Sequence, residues 1–139
     1  MVIYLDSGKF EDISNFRPVV RGVTTNPSLL RSGGVKNYRE FMRMVLNIAE
    51  GIPVSFEVFA DEIEEMGKQA RLIADVGASN GGNVYVKIPV TNSKGESTSG
   101  LVHKLSNEGI KLNVTAVFTM EQIRTVAHSL HSNTPSILS

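Results

Sequence analysis

The residue most open to chemistry is a lysine set among apolar neighbours, Lys87 in the run Val84-Tyr85-Val86-Lys87-Ile88-Pro89-Val90. A parallel strand of this kind is buried on both faces. Burial disfavours an ammonium ion and leaves neutral amine available near pH 7. Such an amine can attack a ketone and form an imine, an electron sink for breaking a carbon–carbon bond. The alternative is a strand-end lysine whose stem snorkels to solvent.

Other polar side chains recur at the ends of apolar runs. Residues two apart share a face of a strand. Tyr4 with Asp6, Ser55 with Glu57, Tyr85 with Lys87, and Asn113 with Thr115 are such pairs. If these faces point inward, one cavity collects a lysine, two carboxylates, amide and hydroxyl groups and two tyrosines, which is the composition of a reaction site. Each residue also has a plainer reading. Asp6, before Ser7-Gly8, suits an Asx-turn as well as a general base. Glu57, in Ser55-Phe56-Glu57-Val58-Phe59, is a poor setting for an unpaired carboxylate. It either pairs with Lys87 or handles protons, and the two roles are compatible. Thr24-Thr25-Asn26-Pro27-Ser28 reads as a loop with Asn26 in a turn, and Asn113 and Thr115 could satisfy backbone groups. His103, His128 and His131 lack metal-ligand spacing and read as surface or packing residues.

The elements that must position these groups alternate between periods of 2 and 3.6. Strand-like runs cover Val2–Leu5, Val19–Val23, Pro53–Phe59, Val84–Val90, Lys111–Phe118 and Ser136–Ser139. Between them, the spacing predicts a short helix over Glu11–Phe16 and an amphipathic one over Tyr38–Glu50, stopped by Gly51. A third helix starts near Asp61, a candidate N-cap, and buries Ile63, Met66, Ala70, Ile73 and Ala74. Gly77–Gly82 reads as a loop. A fourth helix runs through Leu101, Val102 and Leu105. The fifth is capped by Thr119 and buries Met120, Ile123, Val126, Ala127 and Leu130.

Strands separated by helices argue for parallel βα units in the α/β class. An open doubly wound sheet is the rival architecture. Two observations favour a TIM-type (β/α)8 barrel instead. No glycine-rich phosphate loop follows the first strand, and polar residues gather at the carboxyl ends of nearly all the strands, where barrel enzymes place their chemistry.

Composition bounds the partners. The 139 residues have 41% hydrophobic and 20% charged side chains, the profile of a globular domain rather than a disordered chain. Fourteen basic and fourteen acidic side chains balance to a formal charge of zero without like-charge blocks, so no nucleic-acid or membrane-surface partner is expected. The absence of cysteine excludes disulfides, thiolate catalysis and Cys-ligated metals. No apolar run is long enough to span a bilayer, and a cytoplasmic protein is the default expectation.

These segments resemble the transaldolase family, in order and over the whole chain. Tyr4-Leu5-Asp6-Ser7 is similar to the family's opening strand, and Gly22-Val23-Thr24-Thr25-Asn26-Pro27-Ser28-Leu29 to the signature after its second. Val54-Ser55-Phe56-Glu57-Val58, Val86-Lys87-Ile88-Pro89 and Gly109-Ile110-Lys111-Leu112-Asn113-Val114-Thr115 resemble the third, fourth and fifth strands. The resemblance is to the short transaldolases in particular, which include fructose-6-phosphate aldolase-like members.

The resemblance implies a class I aldolase without metal or organic cofactor, acting in the pentose phosphate pathway on sugar phosphates such as fructose 6-phosphate or sedoheptulose 7-phosphate. Lys87 would form the Schiff base, Asp6 would take the proton of the C4 hydroxyl, and Glu57 and Thr115 would hold the proton-shuttling water. Asn26 and Asn113 would bind hydroxyls of the dihydroxyacetone unit, with Thr25, Ser28 and Ser139 completing the substrate-binding set. Glutamate at position 57 resembles the transferase type, where aldolase-like members carry glutamine. Family members continue beyond the sixth strand with a Ser-Pro-Phe-x-x-Arg-like segment, and Ser139 aligns with that serine. The expectation is therefore a single, C-terminally truncated barrel domain over residues 1–139, holding about five βα units and a sixth strand. Its open edges would favour a homo-oligomer. Fructose-6-phosphate cleavage and a non-catalytic barrel fragment remain as alternatives.

Overall fold

The computed structural model describes residues 1–139. Its elements are β1 (Tyr4–Asp6), α1 (Phe10–Phe16), β2 (Gly22–Thr24), α2 (Pro27–Ser32), α3 (Tyr38–Ala49), β3 (Val54–Glu57), α4 (Ile63–Ser79), β4 (Val84–Pro89), α5 (Ser99–Asn107), β5 (Leu112–Thr115), α6 (Met120–Ser129) and β6 (Ser136–Leu138). Six parallel strands in chain order alternate with helices, the α/β architecture of an incomplete TIM-type barrel. The chain divides into two compact units, Met1–Glu57 with Ile73–Val84, and Val58–Leu72 with Tyr85–Ser139.

In the first unit, β1, β2 and β3 follow one another. The interiors of β2 and β3 are buried, as strands covered by helices require. α3 supplies much of that cover through Phe41, Met42, Val45, Leu46 and Ala49. Asn37 caps it by accepting from the Glu40 amide at 3.1 Å, and Glu50 and Gly51 end it in left-handed backbone, φ 48° and 85°.

Two readings of the sequence change here. The segment after Thr25 is not wholly loop, because Asn26 caps a six-residue helix with Pro27 in its first turn. The chain around Gly77 is not loop either, since α4 runs on to Ser79. A Cβ at Gly77 would lie 2.6 Å from Val84 Cγ2, so this glycine serves close packing of the helix on the strand rather than a turn.

In the second unit, β4, β5 and β6 follow one another over Val86, Ile88, Val102, Leu105, Leu112 and Val114, all buried. α6 begins with the expected cap. Thr119 Oγ1 accepts from the Gln122 amide at 3.1 Å, and Gln122 Oε1 accepts from the Thr119 amide at 3.0 Å. Its apolar face is a correction, because only Val126 is buried. Met120 is 62% exposed and Phe118, just before the helix, 88% exposed. β5 also stops earlier than its apolar run, since Ala116 takes φ 61° directly after Thr115. No helix is long and apolar enough to cross a membrane.

Candidate active site

In the first unit, Asp6, Thr24 and Ser55 occupy one register position across β1, β2 and β3, so their side chains emerge on the same face. Asp6 is exposed at the end of β1, and its Oδ1 accepts from Thr24 Oγ1 at 2.8 Å. The turn that follows is organised by buried Ser7, not by Asp6. Ser7 Oγ donates to Asp12 Oδ2 at 2.8 Å and accepts from the Lys9 amide at 3.1 Å. The carboxylate of Asp6 is thereby left directed at the neighbouring strand.

Thr25 is fully buried, with its amide and hydroxyl both donating to the Ser55 carbonyl, each at 3.0 Å. Asn26 Oδ1 accepts from the Leu29 amide at 2.9 Å. That leaves the half-buried Asn26 with its Nδ2 as a donor for another group. Ser28 is exposed in the first turn of α2. This turn is held by backbone pressed on backbone, since a Cβ at Gly8 would lie 2.2 Å from the Leu29 carbonyl oxygen.

Glu57 closes β3 and is half-buried. Its carbonyl accepts from the Tyr38 hydroxyl at 3.2 Å, while the Tyr38 ring meets Phe56 edge-on with centroids 6.1 Å apart. Burial pushes the Tyr38 phenol well above its ordinary value, and the Glu57 charge adds to that, against an opposing hydrogen bond from Thr25. Tyr38 therefore stays a protonated donor. The sequence showed it only as one member of an apolar stripe.

In the second unit, Lys87, Asn113 and Ile137 share a register position across β4, β5 and β6. Lys87 is 9% exposed, and its carbonyl accepts from the Val58 amide at 3.1 Å. Asn113 is buried, and its Oδ1 accepts from Ser139 Oγ at 2.9 Å. Ser139 is anchored in turn by its amide on the Val114 carbonyl, 2.9 Å away. Thr115 lies opposite Pro89, two residues beyond Asn113 and on the same face.

The tyrosines sit one layer earlier along the strands than the chemistry-bearing residues. Tyr4 is in register with Gly22, whose missing side chain makes room for the phenol ring. Tyr85 carries the Lys111 ammonium 5.6 Å from its ring centroid, a cation–π contact.

No buried side-chain nitrogen or oxygen lacks a hydrogen-bond partner. His103, His128 and His131 are exposed, and no three His, Cys, Asp or Glu side chains are grouped to hold a metal ion. The first unit thus gathers carboxylates and hydroxyls at strand ends. The second gathers a buried amine, an amide and two hydroxyls.

The Transaldolase/Fructose-6-phosphate aldolase family pattern matches residues 3–139. A probable transaldolase of Methanococcus maripaludis is 40% identical over 124 residues, which is 88% of this chain and 53% of that protein. Probable transaldolases of a Thermoanaerobacter species and of Dehalococcoides mccartyi are 38% and 37% identical, each across 88% of this chain and 53% and 54% of their own lengths. The chain spans about half the length of the curated relatives it matches.

Proposed function

Since this chain belongs to the Transaldolase/Fructose-6-phosphate aldolase family, we propose that it carries the Schiff-base machinery of a transaldolase, with Lys87 as the nucleophile. The amine adds to the C2 carbonyl of a ketose phosphate and water leaves, giving an iminium ion. Asp6 accepts the proton of the C4 hydroxyl as the C3–C4 bond breaks. The bonding electrons pass into the iminium, and the shortened aldose phosphate departs. The remaining dihydroxyacetone enamine adds to an acceptor aldose phosphate, after which hydrolysis frees Lys87. Glu57 and Thr115 hold the water that moves protons as the imine forms and breaks. Asn26, Asn113, Ser28 and Ser139 bind substrate hydroxyls, and Thr25 contributes through the backbone it fixes. Catalysis of this kind rests on position and proton management.

The observation that carries the reading is a lysine buried to 9% exposure on a strand, in register with a buried asparagine. Glutamate at position 57 favours transfer to an acceptor over release of free dihydroxyacetone. The protein acts in the cytoplasm, in the pentose phosphate pathway and as a homo-oligomer; exposed Phe118 and Met120 support self-association.

Intact mass after incubation with fructose 6-phosphate and borohydride tests the proposal. A stable adduct is expected, absent from a Lys87→Ala variant. A folded wild-type protein that forms no adduct would refute it. Cleavage that proceeds without an acceptor aldehyde would move the activity to the aldolase type.

A further inference from the structure

Within the second unit, the segments following β3 and β4 are bound to each other through side chains that the proposed reaction does not use. After Pro89 the chain makes a small hairpin, closed by an antiparallel bridge between Thr91 and Ser97, with Gly95 at φ 79° near its tip. Buried Asn92 organises the interior, its Oδ1 accepting from the Lys94 and Glu96 amides at 3.1 and 2.9 Å. Thr98 Oγ1 fixes the base, 2.7 Å from the Pro89 carbonyl oxygen and 3.1 Å from that of Val90.

The hairpin is held from outside by Asp61. Its carboxylate accepts from both the Ser93 amide at 2.8 Å and the Ser93 hydroxyl at 2.7 Å. Glu62 pairs with Lys94 at 2.5 Å beside it. Asp61 belongs to a braced segment. Gln69 Oε1 accepts from the Phe59 and Ala60 amides at 2.7 and 2.9 Å, and the Val58 amide donates to the Lys87 carbonyl at 3.1 Å. The short, braced backbone from Val58 to Asp61 therefore joins the Ser93 contact at one end to the Lys87 carbonyl at the other.

We infer that Asp61 is a positioning residue for Lys87, latching the hairpin after β4 to the segment that clasps the lysine's own carbonyl. This inference rests on the imine reading of Lys87. Hydrogen bonds from Ser93 hold the Asp61 carboxyl below its ordinary range, so the latch stays charged to lower pH than a free aspartate would. Asparagine can reproduce both contacts, accepting from the amide and donating to the hydroxyl, whereas alanine can make neither.

The test compares Asp61→Ala and Asp61→Asn with wild type in two measurements on the full chain. The first is hydrogen exchange at the Val58 amide, with the Val86 amide, bonded to the Lys111 carbonyl at 2.8 Å, as control. Alanine should speed exchange at Val58 about tenfold and leave Val86 unchanged. The second is the maximal rate of borohydride-trapped adduct with saturating fructose 6-phosphate. Alanine should lower it about tenfold at an unchanged half-saturating concentration, and asparagine should restore most of it. Unchanged exchange at Val58 overturns the inference. So does faster exchange with an unchanged maximal rate, or a lost rate that asparagine fails to restore. A wild-type protein that forms no adduct defeats the imine reading instead, while faster exchange at Val58 still supports the coupling of Asp61 to Lys87.

Discussion

Asp6 and Lys87 stand on strands of the same parallel type but in opposite surroundings. Asp6, in the first unit, is exposed and has the Thr24 hydroxyl beside it. Lys87, in the second, is buried in a strand whose neighbours Val86 and Ile88 are fully covered. The difference suits the division of labour proposed for them. A carboxylate that exchanges protons gains from contact with water, whereas an imine that must survive long enough to react gains from its exclusion.

Asp6→Asn should have the largest effect. It should leave the borohydride adduct at Lys87 intact while slowing release of the aldose phosphate by about 10²–10⁴-fold, the range for a lost general base. Loss of the adduct as well would show that the two units do not divide the chemistry. Gly8→Ala probes how the first unit holds Asp6. A Cβ placed 2.2 Å from the Leu29 carbonyl oxygen must displace backbone, and urea denaturation should show a loss of about 1–3 kcal/mol. Tyr38→Phe is the mildest change. It removes a buried hydroxyl that donates to the Glu57 carbonyl, and should cost about 1 kcal/mol by the same measurement while adduct formation persists. A loss of adduct would instead tie Tyr38 to the chemistry of the second unit.

Much of the candidate site could be proposed from sequence because its signals are local. A lysine between Val86 and Ile88 is conspicuous in any apolar strand, and the carboxyl ends of strands are where side chains of this kind gather. The amphipathic α3 and the Thr119–Gln122 capping box are likewise written in residues three or four apart. The short α2 was missed although Asn26-Pro27 carries a helix-start signal, because six residues are too few to show a period. Tyr38 was missed for another reason. Its ring fits the apolar stripe of α3, and nothing nearby in sequence reveals that its hydroxyl reaches Glu57, nineteen residues on.

Asp61 and α6 mark the boundary most clearly. An aspartate just before a helix has the local chemistry of an N-cap, yet its carboxylate is engaged by Ser93, thirty-two residues later. α6 has an apolar stripe as regular as a core helix requires, yet it buries Val126 alone. The order of strands and helices, their caps and the prominence of the lysine proposed as nucleophile follow from interactions between near neighbours, which any folded form of this chain would share. Which acid holds which loop, whether a glycine ends a helix or lets it press on a strand, and which face of α6 is covered depend on groups brought together by the fold. Only the packed tertiary structure decides those, because a side chain's partners and its access to water are properties of the assembled neighbourhood rather than of the segment that carries it.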